Sequence, residues 1–386
     1  MIRRLILRGA EIVTPHRVVG GGALVIEDGI IADVLETVPS LAGDDVLWVG
    51  GIVTPGFVDV HSDALEREIR PRPNAIMPVD IALAEFDRKC AGHGITTLLH
   101  AVAVTEEEGA RSQHEAVRVA GALAERRPNS LIRHLFHARY ELTDIDAAPA
   151  IHGLVAAGQV RMISFMDHTP GGRQYPERKD YVAYFSRAYG FTEEKTEQVV
   201  AKKLHQKQHA RAALDAAVAG LADAARLRGV VLASHDDDSA ADIAQAADLG
   251  VTIAEFPITT EAAGAAKAAG LHIVMGAPNV VRGGSTGGNL SAREALRTGV
   301  LDVPCSDYYP ASMLHAVTRL VADGDAGLPD AVRLATLAPA RAVGLGADIG
   351  SLEPGKTADI LVIDRRGGVA AVTHTFREGR EVFRVA

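Results

Sequence analysis

The chain has 386 residues, 47% of them hydrophobic and 23% charged, a balance that fits a soluble globular protein and excludes a disordered or collagen-like chain. Lys and Arg number 40 against 49 Asp and Glu, a net charge of −9 that excludes a broad nucleic-acid footprint and confines any anion site to a local pocket. The only cysteines, Cys90 and Cys305, are far apart, so neither a disulfide framework nor a Cys-rich zinc site is available and a reducing cytoplasm fits best.

The opening segment MIRRLILRGAEIVTP is broken by Arg8 and Glu11 too soon for a secretory core. No run of about 18 apolar residues follows that would cross a membrane. The first fifty residues read as short strands: LILRGAEIVT, GALVIEDGIIADVLE with Asp28-Gly29 as a turn, and DVLWVGGIVTPG. After Gly350 the pattern returns in ADILVID, AAVTHTF and EVFRV, with Pro354-Gly355 and Gly367-Gly368 as turns. Residues 1–54 and 346–386 are therefore predicted to form one small discontinuous β-sandwich domain around residues 55–345.

The middle alternates. Apolar runs ending in polar residues recur as FVDVHSD (57–63), ITTLLHAV (95–102), LIRHLFHARYE (131–141), VRMISFMDH (160–168), GVVLASHDD (229–237), VTIAEF (251–256), HIVMGAPN (272–279) and LDVPCSD (301–307). Ala-rich amphipathic stretches between them read as helices. Eight strands alternating with helices predict an α/β fold, a (β/α)8 TIM-like barrel; a doubly wound open sheet is the competing reading, because periodicity does not show closure. Residues 171–209 are far longer than an ordinary βα loop, helical in the second half, and a candidate lid at the barrel mouth.

Polar residues collect at the ends of these runs. His61, Asp63, His100, Glu141, His168, His235 and Asp307 all lie at or just past C-terminal strand ends, where barrel loops assemble an active site. Imidazoles and carboxylates without thiolates suit a Zn²⁺ or Mn²⁺ site of a hydrolase, with one or two ions. Period-two alternation places His61 and Asp63 on one side of their strand. Asp307 is the expected general base, and Glu141 the expected bridging carboxylate, with pairing to Arg139 as its competing role.

A second constellation is cationic. The loop from Arg282 through Gly283, Gly284 and Ser285 to Asn289 follows the seventh run, and its N–H groups together with Arg282 suit phosphate oxygens. Arg72, Arg139 and Arg173 add focal charge, implying a small polyanionic ligand. The glycine-rich loop lacks the GK[ST] of a P-loop, so nucleotide binding of that kind is not expected of it.

HxD on the first strand, an acid on the third, two later strand-end histidines and an Asp on the eighth, flanked by a split β domain, resemble the amidohydrolase superfamily. More narrowly, VDVHSDALE, HARYEL, SFMDHTPGGRQ, ASHDD, MGAPNVVRGGS and CSDYYPAS resemble the α-D-ribose 1-methylphosphonate 5-triphosphate diphosphatases of phosphonate catabolism. That resemblance implies cleavage of a triphosphate to release pyrophosphate, a phosphorylated sugar as substrate, and His61, Asp63, Glu141, His168, His235 and Asp307 as metal-site residues. Two positions depart from the family pattern: Ala64 stands where Asn is usual, and Thr286 where the loop usually has His. Deacetylation or deamination of another small substrate on the same metal site is the competing activity, and a non-catalytic scaffold the more distant one. A homo-oligomer is compatible with the composition.

Overall fold

The structure, a computed structural model, describes residues 4–37, 45–72, 75–105, 111–169, 177–189, 192–285, 288–366 and 368–385. Eight parallel strands form the central sheet: β1 (Phe57–Ser62), β2 (Ile95–Val104), β3 (Arg133–Glu141), β4 (Val160–Met166), β5 (Val231–His235), β6 (Ile253–Glu255), β7 (His272–Gly276) and β8 (Val303–Cys305). They pair in chain order, and a parallel bridge between Ser62 and Asp307 brings the first and last together. The sheet is thus a nearly closed barrel with helices between its strands, and the open-sheet reading falls.

Each of the eight predicted runs supplies one strand. Their inward residues, among them Val60, Leu99, Met162, Ala233, Ile253, Val274 and Val303, fill the barrel and are all buried. Burying a side chain of this size is worth about 1.5–3 kcal/mol, which fixes the register, since a one-residue slip would turn this set outward. The helices begin where a hydroxyl caps them: Ser112, Ser239, Thr259 and Ser291 each accept a hydrogen bond from the backbone N–H three residues on.

Both termini build two further sheets, one of strands Ile30–Leu35, Ala23–Glu27, Arg4–Arg8 and Asp45–Trp48, the other of Arg380–Arg384, Val369–Arg377, Ile360–Arg366, Ile52–Pro55, Glu11–Val13 and Val18–Gly20. Leu7, Ile12, Leu24, Ile31, Val53, Ile360 and Phe376 form the core they share. The run DVLWVGGIVTPG, read as one strand, is split between the two sheets at Gly51. Gly51 has φ +72°, and a Cβ there would lie 2.2 Å from the carbonyl oxygen of Ile363, so this crossing requires glycine.

The insertion after β4 is helical over Arg178–Tyr189 as well as Glu193–His209, so helix is not confined to its second half. Residues 171–176 lie outside the described residues. Among the described residues no helix is long and apolar enough to cross a membrane.

Candidate active site

The C-terminal ends of the strands enclose a cleft of about 410 Å³. His61, Asp63, Glu141, His168, His235 and Asp307 all line it, together with Arg139 and Ser285. Topology explains the convergence of residues so distant in sequence. Asp307 N–H donates to the His61 carbonyl at 2.9 Å and Asp63 N–H to the Asp307 carbonyl at 3.0 Å, so closure of the barrel itself brings the HxD segment against the eighth strand end. Asp59, buried beneath, braces the same junction by accepting from the N–H groups of Ser306 at 3.0 Å and His61 at 3.3 Å.

Behind the histidines stand two glutamates. Glu141 accepts from the backbone N–H of His168 and from its Nδ1, both at 3.0 Å. Glu255, fully buried, accepts from His61 Nδ1 at 2.8 Å and His235 Nδ1 at 3.1 Å. A carboxylate on Nδ1 turns Nε2 towards the cleft as the coordinating nitrogen, the arrangement that orients imidazole ligands in metal sites. Burial pushes His235 and His137 down, the latter to about 3, so both are neutral imidazoles. His137 Nε2 is occupied by Ser164 Oγ at 2.9 Å.

The donor set passes a direct test of fitness for a cation. His168 Nε2 and His235 Nε2 lie 3.6 and 3.7 Å from Asp236 Oδ2, beyond hydrogen-bond length, and that oxygen is buried without a hydrogen-bond partner. A buried carboxylate oxygen with no hydrogen bond is costly, and two imidazole nitrogens at this spacing point to a shared divalent ion as its partner. A second group of potential donors, His61, His137 and Glu255, is drawn together by the Glu255 hydrogen bond to His61.

Three of these turns are strained. Asp236, Phe256 and Asp307, directly after β5 and β6 and two residues after β8, have φ of 55°, 54° and 56° without being glycine, a conformation that costs about 1–3 kcal/mol each and concentrates at functional sites. Burial, reinforced by the neighbouring Asp63 carboxylate, pushes Asp307 up to about 6. Its carboxyl therefore exchanges a proton near neutral pH.

The cationic residues divide. Arg139 projects into the cleft, its Nε 3.2 Å from the Met166 sulfur. Arg282 closes the helix Ala277–Arg282 at the rim, 3.4 Å from the hydroxyl of Tyr308, which lines the cleft; Gly283 takes the left-handed cap with φ +84° and Gly284 leads on to Ser285. Arg72 stands exposed and is not among the cleft's lining residues. Arg173 and Thr286 lie outside the described residues. Ala64, the other departure from the family pattern, is buried.

His100, expected at a strand end, lies four residues before the end of β2, in register with Ser62, and is not among the cleft's lining residues; its Nε2 meets His134 Nδ1 at 2.8 Å and His134 Nε2 meets Asp87 at 2.9 Å, a buried relay. Sequence reasoning missed Glu255, Asp236, Arg67 and Arg111. Glu255 closes the sixth run as other acids close theirs, and Asp236 is adjacent to His235, so the signal for both was position at a strand end. Arg67, over the Tyr308 ring, and Arg111, paired with Glu66, lie in helix and loop segments that carry no such mark.

Residues 52–382 match the profile of the amidohydrolase family. The chain belongs to that family. This amidohydrolase is 35% identical to the α-D-ribose 1-methylphosphonate 5-triphosphate diphosphatase of Escherichia coli (strain K12), over 98% of its own length and 100% of that protein's. Its fold matches the N-acetyl-D-glucosamine-6-phosphate deacetylase of Mycobacterium smegmatis with a TM-score of 0.64 at 21% identity, covering 98% and 99% of the two chains. A prolidase solved with N-methylphosphonate-L-proline matches with a TM-score of 0.66 at 16% identity, over 99% and 100% of the chains. These structural likenesses concern the fold alone.

Proposed function

We propose that this hydrolase cleaves the α,β-anhydride of α-D-ribose 1-methylphosphonate 5-triphosphate, releasing pyrophosphate and leaving the 5-phosphate, as a step of phosphonate breakdown. The observation that carries this reading is the end-to-end likeness to the Escherichia coli diphosphatase, and the arginines of the cleft agree with it. Residues 55–345 carry the chemistry, and the segments 1–54 and 346–386 form the domain that supports it.

His168, His235 and Asp236 would hold a divalent ion, Zn²⁺ by the mixture of imidazole and carboxylate, and His61, which stacks on His235 at 5.6 Å between ring centroids, would hold a second with Asp63 and Asp307. Glu141, expected as a bridging ligand, has both oxygens on His168 and is assigned to orienting it. Such an ion supplies Lewis acidity and a water that ionises near neutral pH.

The protein's own groups do the rest. Asp307 accepts the proton of the attacking water and returns it to the departing pyrophosphate or to solvent. Arg139, with Arg67 and Arg111 farther out, neutralises the polyphosphate and favours the charge that develops on the leaving group. Ser285, the backbone of Gly283 and Gly284, and Arg282 at the rim bind the distal phosphates.

The test is incubation of the zinc-loaded protein with the ribosyl phosphonate triphosphate, followed by ³¹P NMR. Pyrophosphate and the 5-phosphate should appear in equal amounts. Orthophosphate as the first product, or recovery of intact triphosphate after loading with Zn²⁺, Mn²⁺ and Ni²⁺ in turn, would overturn the assignment.

A further inference from the structure

Tyr308 comes directly after the left-handed turn at Asp307 and lines the cleft. Two guanidinium groups from different elements meet on this one side chain. Arg282, the last residue of the helix that follows β7, donates from Nη1 to the tyrosine hydroxyl in a long hydrogen bond of 3.4 Å. Arg67, on the short helix Leu65–Ile69 that follows β1, stands with Cζ 5.6 Å from the centre of the ring, within reach of a cation–π contact. The barrel explains the meeting. β8 lies between β7, which pairs with it, and β1, which reaches it through the bridge of Ser62 to Asp307, so the residue after Asp307 stands between the loops of both neighbours. The backbone there is braced as well: Tyr309 N–H donates to the Ser306 carbonyl at 2.9 Å, and Ser312 donates its N–H at 2.9 Å and its hydroxyl at 2.6 Å to the Tyr309 carbonyl. The helix that Ser312 opens packs against the helix of Arg282.

We propose that Tyr308 is a positioning residue of the anion site, a post that holds Arg67 and Arg282 at one edge of the cleft for the pyrophosphate end of a polyphosphate chain. Long cationic side chains at a rim repel one another and turn into solvent unless something holds them. A carboxylate can hold them, as Glu66 holds Arg111 at 3.2 Å, but it cancels charge that an anion needs. A phenol holds them with an oxygen lone pair and a ring face, and adds no negative charge. Arg282 runs straight on into Gly283 and Ser285, so the held pair borders the turn assigned to the distal phosphates. The inference deepens the polyphosphate reading of the cleft and rests on it.

Calorimetric titration of the zinc-loaded, full-length protein with inorganic pyrophosphate, and separately with orthophosphate, tests it. Tyr308→Phe keeps the ring beneath Arg67 and should weaken pyrophosphate binding about two- to threefold; Tyr308→Leu removes both contacts and should weaken it about five- to tenfold. Orthophosphate, which presents one phosphate group rather than two, should change less than about twofold in either variant. Because Tyr308 acts through the arginines, Tyr308→Leu made in an Arg67→Ala, Arg282→Ala background should cost less than about twofold. Should Tyr308→Leu fail to fold, Tyr308→Phe in the parent and in Arg282→Ala carries the same comparison. With the triphosphate as substrate, the loss should appear in KM rather than in kcat. A full loss in the arginine-free background, an equal loss for both anions, or a loss in kcat with KM unchanged would overturn the positioning role and leave the polyphosphate reading standing. Failure of the parent to bind pyrophosphate at all would overturn both.

Discussion

Glu255 offers the sharpest test of how the site is held. Its carboxylate is fully buried and accepts two hydrogen bonds, at 2.8 Å from His61 and 3.1 Å from His235. Glu255→Gln keeps the shape but turns one acceptor into an NH2 donor. One imidazole then keeps its partner, and the other must either lose its bond or change tautomer, which withdraws its coordinating nitrogen. A hydrogen bond to a charged group contributes about 1.5–3 kcal/mol, and losing one corresponds to about ten- to a hundredfold. Replacement of carboxylates that buttress metal-bound histidines costs metal affinity or activity by that same factor of about 10–100. Zinc affinity, measured by competition with a chromogenic chelator, should therefore weaken about ten- to a hundredfold in Glu255→Gln while the melting temperature of the metal-free protein changes far less than for a deleted core side chain. Zinc binding equal to the parent's would refute the view that Glu255 orients ligands.

Asp307→Asn should bind zinc and substrate but lose about 10²–10⁴ in kcat, the usual contribution of a positioned general base; a loss below tenfold in steady-state turnover would remove it from that role. Arg139→Ala should reduce kcat/KM for the triphosphate about ten- to a hundredfold, whereas Arg72→Ala, at an exposed position outside the cleft, should leave it within twofold; equal losses would mean that the polyanion reaches the surface near Arg72. Asp87 gives a pH test of stability. Burial raises its carboxyl, but His134 and the N–H groups of Leu131 and Ile132 outweigh this and depress it below the ordinary value. A depressed carboxyl binds fewer protons folded than unfolded, so its stabilisation is full above about pH 4 and disappears as pH falls through the folded value. The melting-temperature gap between the wild type and Asp87→Asn should thus be wide at pH 6 and narrow towards pH 3; a gap independent of pH would contradict the relay.

The barrel was legible because alternation and run length are local, and all eight runs became strands. Which polar side chains meet was harder, because pairing between distant strands decides it. Glu255 lies beside His235 because β5 and β6 pair His235 with Glu255, and Glu141 reaches His168 because β3 and β4 pair Glu141 with Met166, two residues short of the histidine. No spacing within either segment contains those registers. In HDDD, three successive acids look alike in sequence, and only the left-handed turn at Asp236 selects the one that faces both histidines. Arg72 shows the reverse failure: it follows a strand end in sequence, but the loop carries it outward.

The acids of the site also sort by depth, and this sorting accounts for why glutamate and aspartate are not exchanged among them. Glu141 and Glu255 are the last residues of β3 and β6, while Asp63, Asp236 and Asp307 come one or two residues after their strands, in the turns. A carboxylate on the strand itself sits lower, and there the longer side chain spans to a histidine Nδ1, as Glu141 does to His168 and Glu255 to His61 and His235. A carboxylate in the turn already stands level with the cleft, where a longer side chain would overshoot into the space that substrate needs. Glu255→Asp should therefore weaken zinc binding even though its charge is kept, and Asp236→Glu should do so as well. Were both conservative exchanges silent in the chelator assay, charge alone would account for the site and the depth of each acid would carry no weight.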